Sequence, residues 1–176
     1  MITEELQNAR EAIVRAHTES ENRHSFDETV GTFATPRYEV VPTGEVHEGA
    51  DEVRRFLQET HAAFPDFVLE EHALHHASEA VFAEVEFVGT NLGPWRGLPA
   101  TGKRVRYRMC NVFVFDGDRL RCERLYFDLM TALRQVGIAR DPTSVAGRME
   151  TVLMHPFVIA SALLRALCAS APLRLP

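Results

Sequence analysis

The stretch Gly89–Gly137, GTNLGPWRGLPATGKRVRYRMCNVFVFDGDRLRCERLYFDLMTALRQVG, decides how the rest of the chain is read. A Gly/Pro-rich loop leads into a run over 104–116 in which Val105, Tyr107, Met109, Asn111, Phe113 and Phe115 alternate with Arg106 and Arg108. A period of two is the mark of a strand with one buried face. Asp116-Gly117-Asp118 is a hairpin turn, and 119–127 forms the returning strand. That strand ends on Asp128, where Leu129–Val136 begins a short helix with Gly137 as its C′ residue. Leu125, Tyr126, Phe127, Leu129 and Met130 surround this acid in sequence. A carboxyl group in such a setting is expected to have a raised pKa and to carry protons near neutral pH.

Upstream, two more strands are expected over 67–76 and 80–90, the second with Val81, Ala83, Val85 and Phe87 on one face and Glu84 and Glu86 on the other. The chain opens with helical patterns. Residues 3–22 carry Thr3 as N-cap and Leu6, Ala9, Ile13 and Ala16 as the expected inner stripe. Ser25-Phe-Asp-Glu28 has the form of a capping box, and Thr35-Pro36 ends the short helix that follows. Tyr38–Val41 is a short strand, and a third helix over 51–64 stops at Pro65. Helices first and a strand meander afterwards mean α+β: a curved antiparallel or mixed sheet wrapped around the N-terminal helices, forming a cone with an apolar mouth.

With 176 residues and 45% hydrophobic content, the chain supports one domain with a core of its own. That domain is expected over 1–140, and 141–176 forms a linker and an apolar helical extension. Between Thr151 and Leu164 the extension has no Asp, Glu, Lys or Arg. The apolar run is shorter than the roughly 20 residues of a membrane span and contains Pro156. Packing on its own domain or on a partner subunit is the ordinary reading of such a helix. A lid over the pocket and a membrane-surface helix are the alternatives.

The net charge of −6 and the absence of a basic field argue against nucleic-acid binding, and a membrane is not an expected partner. Three cysteines, Cys110, Cys122 and Cys168, with no CxxC spacing argue against a disulfide framework or a zinc site. The acidic, helical N-terminus lacks a secretory pattern, so a cytoplasmic protein is expected. The absence of GxSxG, P-loop and GxGxxG motifs removes serine hydrolases, nucleotide-dependent enzymes and dinucleotide oxidoreductases as leading readings.

Asp128 is the first candidate for chemistry, as a general base or simply as the N-cap of the helix after it. On alternation it shares a side with Leu120, Cys122, Arg124 and Tyr126. Asn111, the one amide on an apolar strand face, could bind a substrate carbonyl or a backbone group. Met109 and Phe113 share its face, and Tyr107, Tyr126 and Trp95 could line the mouth. His47, in Val46-His-Glu-Gly49, sits where a loop could reach the pocket. His72, His75 and His76 lack a convincing set of co-ligands and read as a solvated edge. His17, His24 and His61 read as helix-surface residues. No metal and no cofactor are expected.

The pieces GTNLGPWRGLPATGK, VFVFDGDRL, ERLYFD and LRQVG, with His47 and Gly49 upstream, resemble the SnoaL-like polyketide cyclase (ester cyclase) family. That family belongs to the nuclear transport factor 2-like superfamily, and the resemblance covers about residues 5–140. It implies a cone fold and an acid/base enzyme without a cofactor. Asp128 stands at the position of the general base that abstracts a proton α to a carbonyl before intramolecular aldol ring closure. Asn91 stands where members often carry a His. The alternatives on the same fold are a non-catalytic binder of an apolar molecule or dimerisation module, and an isomerase or an epoxide hydrolase-like enzyme. The last would draw on Arg124 beside Asp128. A homodimer is expected, because sheets of this kind leave an exposed face that pairs.

Overall fold

Eleven consecutive residue pairs join β4 (Ala80–Thr90) to β5 (Arg104–Asp116), from Ala80↔Val114 to Thr90↔Arg104. This is the longest ladder in the protein and the spine of its sheet. The computed structural model describes the backbone of residues 2–169 and the side chains of residues 2–166, so Cys168 lies outside the described side chains. The elements before the spine are α1 (Glu4–Asn22), α2 (Phe26–Gly31), β1 (Arg37–Val40), β2 (Glu45–Glu48), α3 (Ala50–Ala63) and β3 (Val68–His76). After it come β6 (Arg119–Phe127), α4 (Leu129–Gln135), α5 (Val145–Met154) and α6 (Pro156–Ala169). The six strands form one mixed sheet in the order β2-β1-β6-β5-β4-β3, in which only the β1–β6 pairing is parallel. The α+β architecture expected from the sequence is therefore present. β2 was not anticipated: its four residues are mostly exposed and polar, so no burial period marks them.

A β-bulge sets which side chains of β6 face inward. The β5–β6 register runs Val114↔Cys122 and then Phe115↔Leu120, which leaves Arg121 as the extra residue. An extra residue in one strand reverses its alternation beyond that point. Before the bulge Leu120 is buried; after it Glu123 and Leu125 are buried while Tyr126 is exposed. Simple alternation puts Arg124, Tyr126 and Asp128 inside. The bulge turns them away and brings in Glu123, Leu125 and Phe127, opposite Phe113, Asn111 and Met109 of β5. On the far side, β1 places Tyr38 beside Glu123 and Val40 beside Leu125.

The face of α1 that meets the core also departs from expectation. Its buried residues are Arg10, Val14, His17, Thr18, Ser20 and Glu21, whereas Ala9 and Ala16 are exposed. Arg10, Val14, His17 and Glu21 follow helical spacing, so the inner stripe is largely polar. Each of these polar groups is matched. The Arg10 guanidinium donates to the carbonyls of Gly117 (2.8 Å), Ser78 (3.0 Å) and Ala77 (3.4 Å), so one buried cation ties two hairpin turns together. It also lies 5.1 Å above the Phe115 ring. Thr3 caps α1 as expected, but Ser25 makes no side-chain cap bond.

Two compact units are resolved, Met1–Ile138 and Ala139–Pro176. The first contains the sheet, α1 to α4 and the whole core. The second contains α5, capped by Ser144, and α6, which begins at Pro156.

Candidate functional site

An apolar cavity opens between α3, the inner face of the sheet and the loop after β4. Phe56, Leu57, Phe64, Phe67, Phe87 and Leu125 supply much of its wall, and the centre of a water-sized sphere can move through about 70 Å³ of it. That is room for several waters or a flat apolar ligand with modest adjustment. Its polar lining comes from Glu21, Tyr38, Asn111, Tyr107 and Thr60, with Arg96 at the rim. Arg96 and Gly97 both have positive φ, 51° and 77°, in a two-residue turn closed by Trp95 and Leu98, as the tightest hairpin turns require. The Arg96 guanidinium grips the Glu45 carboxylate through two bonds of 2.9 and 2.8 Å, which anchors this loop to β2. Outside the rim a hollow of about 380 Å³ shares Phe56, Thr60, Trp95 and Arg96 and adds His47.

Four of the nominated residues, Asn111, Tyr107, Met109 and Trp95, line the cavity. Asn111 is 2% exposed, and its Oδ1 has no hydrogen-bond partner. Burial holds the Tyr107 phenol above its ordinary range, so it remains a donor. His47 lies in the outer hollow, stacked on Phe56 at 4.6 Å. Phe113 packs behind the cavity, edge-on to His17 at 5.4 Å. Asn91 is consumed by the loop: its Nδ2 donates to Ala63 and Gly93 carbonyls, and its Oδ1 accepts from the Thr101 amide and hydroxyl.

Asp128 and Tyr126 are not in the cavity lining. Asp128 is exposed and caps α4, with Oδ1 accepting from the Met130 amide (2.9 Å) and Oδ2 from the Thr131 hydroxyl (2.5 Å). The Thr131 hydroxyl bond and then the backbone amides hold its carboxyl below the usual range. The expectation of a desolvated Asp128 with a raised pKa is thereby corrected: the β6 bulge points it outward and α4 claims it as a cap. Tyr126 is 43% exposed for the same reason. Arg124, once a partner for Asp128 in the hydrolase reading, pairs instead with Glu39 at 2.7 Å.

The sequence reading missed the polar group at the buried end. His17, assigned to the helix surface, is 0% exposed, as is Glu123, and Glu21 and Tyr38 are 4% and 1% exposed. His17 Nδ1 lies 2.7 Å from the Thr32 hydroxyl, which already donates to the Thr29 carbonyl. Nδ1 must therefore be the donor in that bond. His17 Nε2 lies 2.7 Å from the Tyr38 hydroxyl and 2.9 Å from Glu123 Oε2, and the Tyr38 hydroxyl donates to Glu21 Oε1 at 2.6 Å. With the phenol proton committed to Glu21, Nε2 must also carry a proton. With Glu21 ionised, this pattern of donors makes His17 an imidazolium.

The electrostatics agree. Burial acts to lower the His17 pKa, but the Glu123 charge and contact, followed by Glu21, overturn that and raise it to about 10. Glu123 is raised as well, because its burial and the Glu21 charge outweigh the imidazolium. Its oxygens make no bond of good hydrogen-bond geometry, so the 2.9 Å contact is an ion pair rather than an aligned hydrogen bond. Ligand atoms of His17, Glu21 and Glu123 lie within 4.8 Å of one another, the donor types of a metal site. A cation could enter only after the Nε2 proton left. The i,i+4 spacing of His17 and Glu21 was the available clue. The other histidines do not converge: His75 meets Glu84 (3.1 Å), His76 meets Glu11 (2.8 Å), and His24 bonds the Phe67 carbonyl while its ring lies 4.2 Å from that of His61.

A family model described as SnoaL-like polyketide cyclase matches residues 11–136. A putative polyketide cyclase from Xanthomonas campestris pv. campestris is 19% identical with a TM-score of 0.69, covering 75% of this chain and 99% of its own. A hypothetical protein with a ketosteroid isomerase-like fold from Catenulispora acidiphila is 17% identical, TM-score 0.63, over 72% and 92%. The epoxide hydrolase/cyclase-like enzyme SalBIII of pyran ring formation in salinomycin is 20% identical, TM-score 0.59, over 70% and 93%. At these identities the structural likeness establishes the fold. No curated protein matches the chain.

Proposed function

Because the chain belongs to the SnoaL-like polyketide cyclase family, we propose that it is a proton-transfer enzyme acting on a small, largely apolar carbonyl compound, with Glu21 rather than Asp128 as the general base. The observation that carries this reading is the placement of Glu21: a buried carboxylate on the wall of an apolar cavity that also holds the Asn111 amide and the Tyr107 phenol. Tyr38 fixes the carboxylate by donating to Oε1, and the imidazolium of His17 stands behind Tyr38. A general base works best when held within hydrogen-bond reach of its proton in a water-poor site.

In the proposed reaction Glu21 removes a proton α to the substrate carbonyl. Negative charge develops on the carbonyl oxygen, where an amide or phenol donor stabilises it. The enolate carbon attacks a second carbonyl of the same molecule, one C–C bond forms, and the new alkoxide recovers the proton from Glu21. The product is an isomer of the substrate, so no oxidant, reductant or bound cofactor enters the balance. Phe56, Phe64, Phe87 and Trp95 suit a flat, fused or aryl ketone.

The test uses 1-tetralone in D2O, with deuterium uptake at its α-carbon followed by NMR. The wild-type protein should accelerate exchange, and Glu21→Gln should reduce the acceleration at least a hundredfold, the usual range for one acid–base group. Saturable binding of 1-tetralone without exchange would make the chain a binder instead. Unchanged exchange by Glu21→Gln would remove Glu21 from the reaction.

A further inference from the structure

The second unit carries an unusual distribution of charge and apolar surface. All the acidic residues of the chain precede Thr151, so the last 26 residues contain no carboxylate side chain and two arginines, Arg165 and Arg174. Across residues 139–176, Arg140, Arg148, Arg165 and Arg174 stand against Asp141 and Glu150, a net charge of +2. The chain as a whole is −6, so residues 1–138 carry −8. Charge asymmetry of this kind between parts of one chain points to an interaction with a charged surface.

Among the described residues, most of the large apolar side chains of α5 and α6 are exposed, Ile159 being half-buried. On α5, Val145, Met149, Val152 and Leu153 follow the i, i+4, i+7, i+8 spacing of one helix face. On α6, Phe157 is 88% exposed, and Val158, Leu163 and Leu164 are exposed with it. Arg165 is the one charged residue in the helix. An apolar surface of this extent is a binding surface or a liability. At about 1.5 Å per residue, the 14 residues of α6 reach roughly 21 Å, short of the roughly 30 Å hydrocarbon layer. No single helix among the described residues is long and apolar enough to cross a membrane, and α5 and α6 meet at a bend of 99°.

We infer that α5 and α6 form a monotopic anchor that seats the chain on an anionic lipid surface, entering one leaflet without crossing it. Apolar residues supply the burial, and the excess of arginines, of which Arg140 is paired with Glu150 at 3.5 Å, supplies attraction to acidic headgroups. The same field that attracts the +2 segment repels the −8 segment, so the second unit is the part of the chain drawn to the lipid. A second copy is the poorer occupant, because it would set one +2 segment against another. The inference stands independently of the reaction proposed for the cavity.

The experiment is vesicle flotation of the full chain with phosphatidylcholine alone and with phosphatidylcholine containing 30 mol% phosphatidylserine. The chain should float with the anionic vesicles, and binding should weaken as salt is raised. Replacing both Arg148 and Arg165 by Glu should lower the partition at least tenfold. The double variant Phe157→Asp/Leu163→Asp should abolish flotation without changing the circular dichroism melt, since both residues are exposed. Failure of the wild-type chain to float overturns the inference. So does flotation that survives Phe157→Asp/Leu163→Asp. A dimer that those two substitutions return to monomer, in a chain that does not float, assigns the surface to a second copy.

Discussion

Replacing Glu123 with Gln removes a charge from the most buried ion pair among the described residues while keeping its shape. Both members, His17 and Glu123, are 0% exposed, and they approach to 2.9 Å. His17 holds its proton to about pH 10 in the folded chain, against about 6.5 for a free imidazole. Its folded pKa is raised, so the stabilisation from this proton is complete below pH 6.5 and is lost as pH climbs toward 10. The Glu123 carboxyl is itself pushed up by its burial and by the Glu21 charge, which opposes part of this gain. Removing one partner of a buried pair typically costs about 3–5 kcal/mol. Glu123→Gln should therefore lose roughly 3–5 kcal/mol at pH 6.5 and distinctly less at pH 10. Urea unfolding of wild type and variant across this range measures the difference. A loss below about 1 kcal/mol, or one of equal size at both ends, would refute a charged His17 held by Glu123.

Other perturbations test the frame around the cavity. Arg10→Met should destabilise the chain by on the order of 3 kcal/mol, since three hairpin carbonyls lose their donor; chemical denaturation reports it. Gly93→Ala would set a Cβ 2.0 Å from the Ala62 carbonyl oxygen, so the loop carrying Trp95 must shift; a loss of about 1–3 kcal/mol and weaker binding of 1-tetralone are expected. Glu45→Gln releases the Arg96 clasp at the rim and should raise the dissociation constant for 1-tetralone while leaving the melting temperature close to that of wild type.

Much of the fold was legible because its strands follow a period of two and its turns carry Gly, Pro and Asp. The alternation over 81–87 and 105–115 gave the inner face of β4 and β5 directly, and with it Asn111, Tyr107 and Met109 on the cavity wall. The assignment failed where alternation fails. One extra residue at Arg121 reverses the face of β6, exchanging Glu123 for Arg124 and Phe127 for Tyr126. No residue type in Arg119–Phe127 announces that bulge. On α1 the expected inner stripe was Leu6, Ala9, Ile13 and Ala16; Ile13 does pack against the core, but Ala9 and Ala16 are exposed and Arg10, His17 and Glu21 are buried. Their partners come from β1, β6 and two hairpin turns, so the burial of those charges is intelligible only after the chain has closed on itself. Asp128 illustrates the converse: apolar neighbours in sequence did not mean a dry site in space.

The most direct measurement places the two carboxylates side by side, comparing α-deuteration of 1-tetralone by Glu21→Gln and by Asp128→Asn. The expected result is a rate at least a hundredfold below wild type for Glu21→Gln and a near-wild-type rate for Asp128→Asn, whose carboxylate caps α4 in solvent. Loss of exchange in Asp128→Asn with retention in Glu21→Gln would contradict the assignment and return the general base to the end of β6.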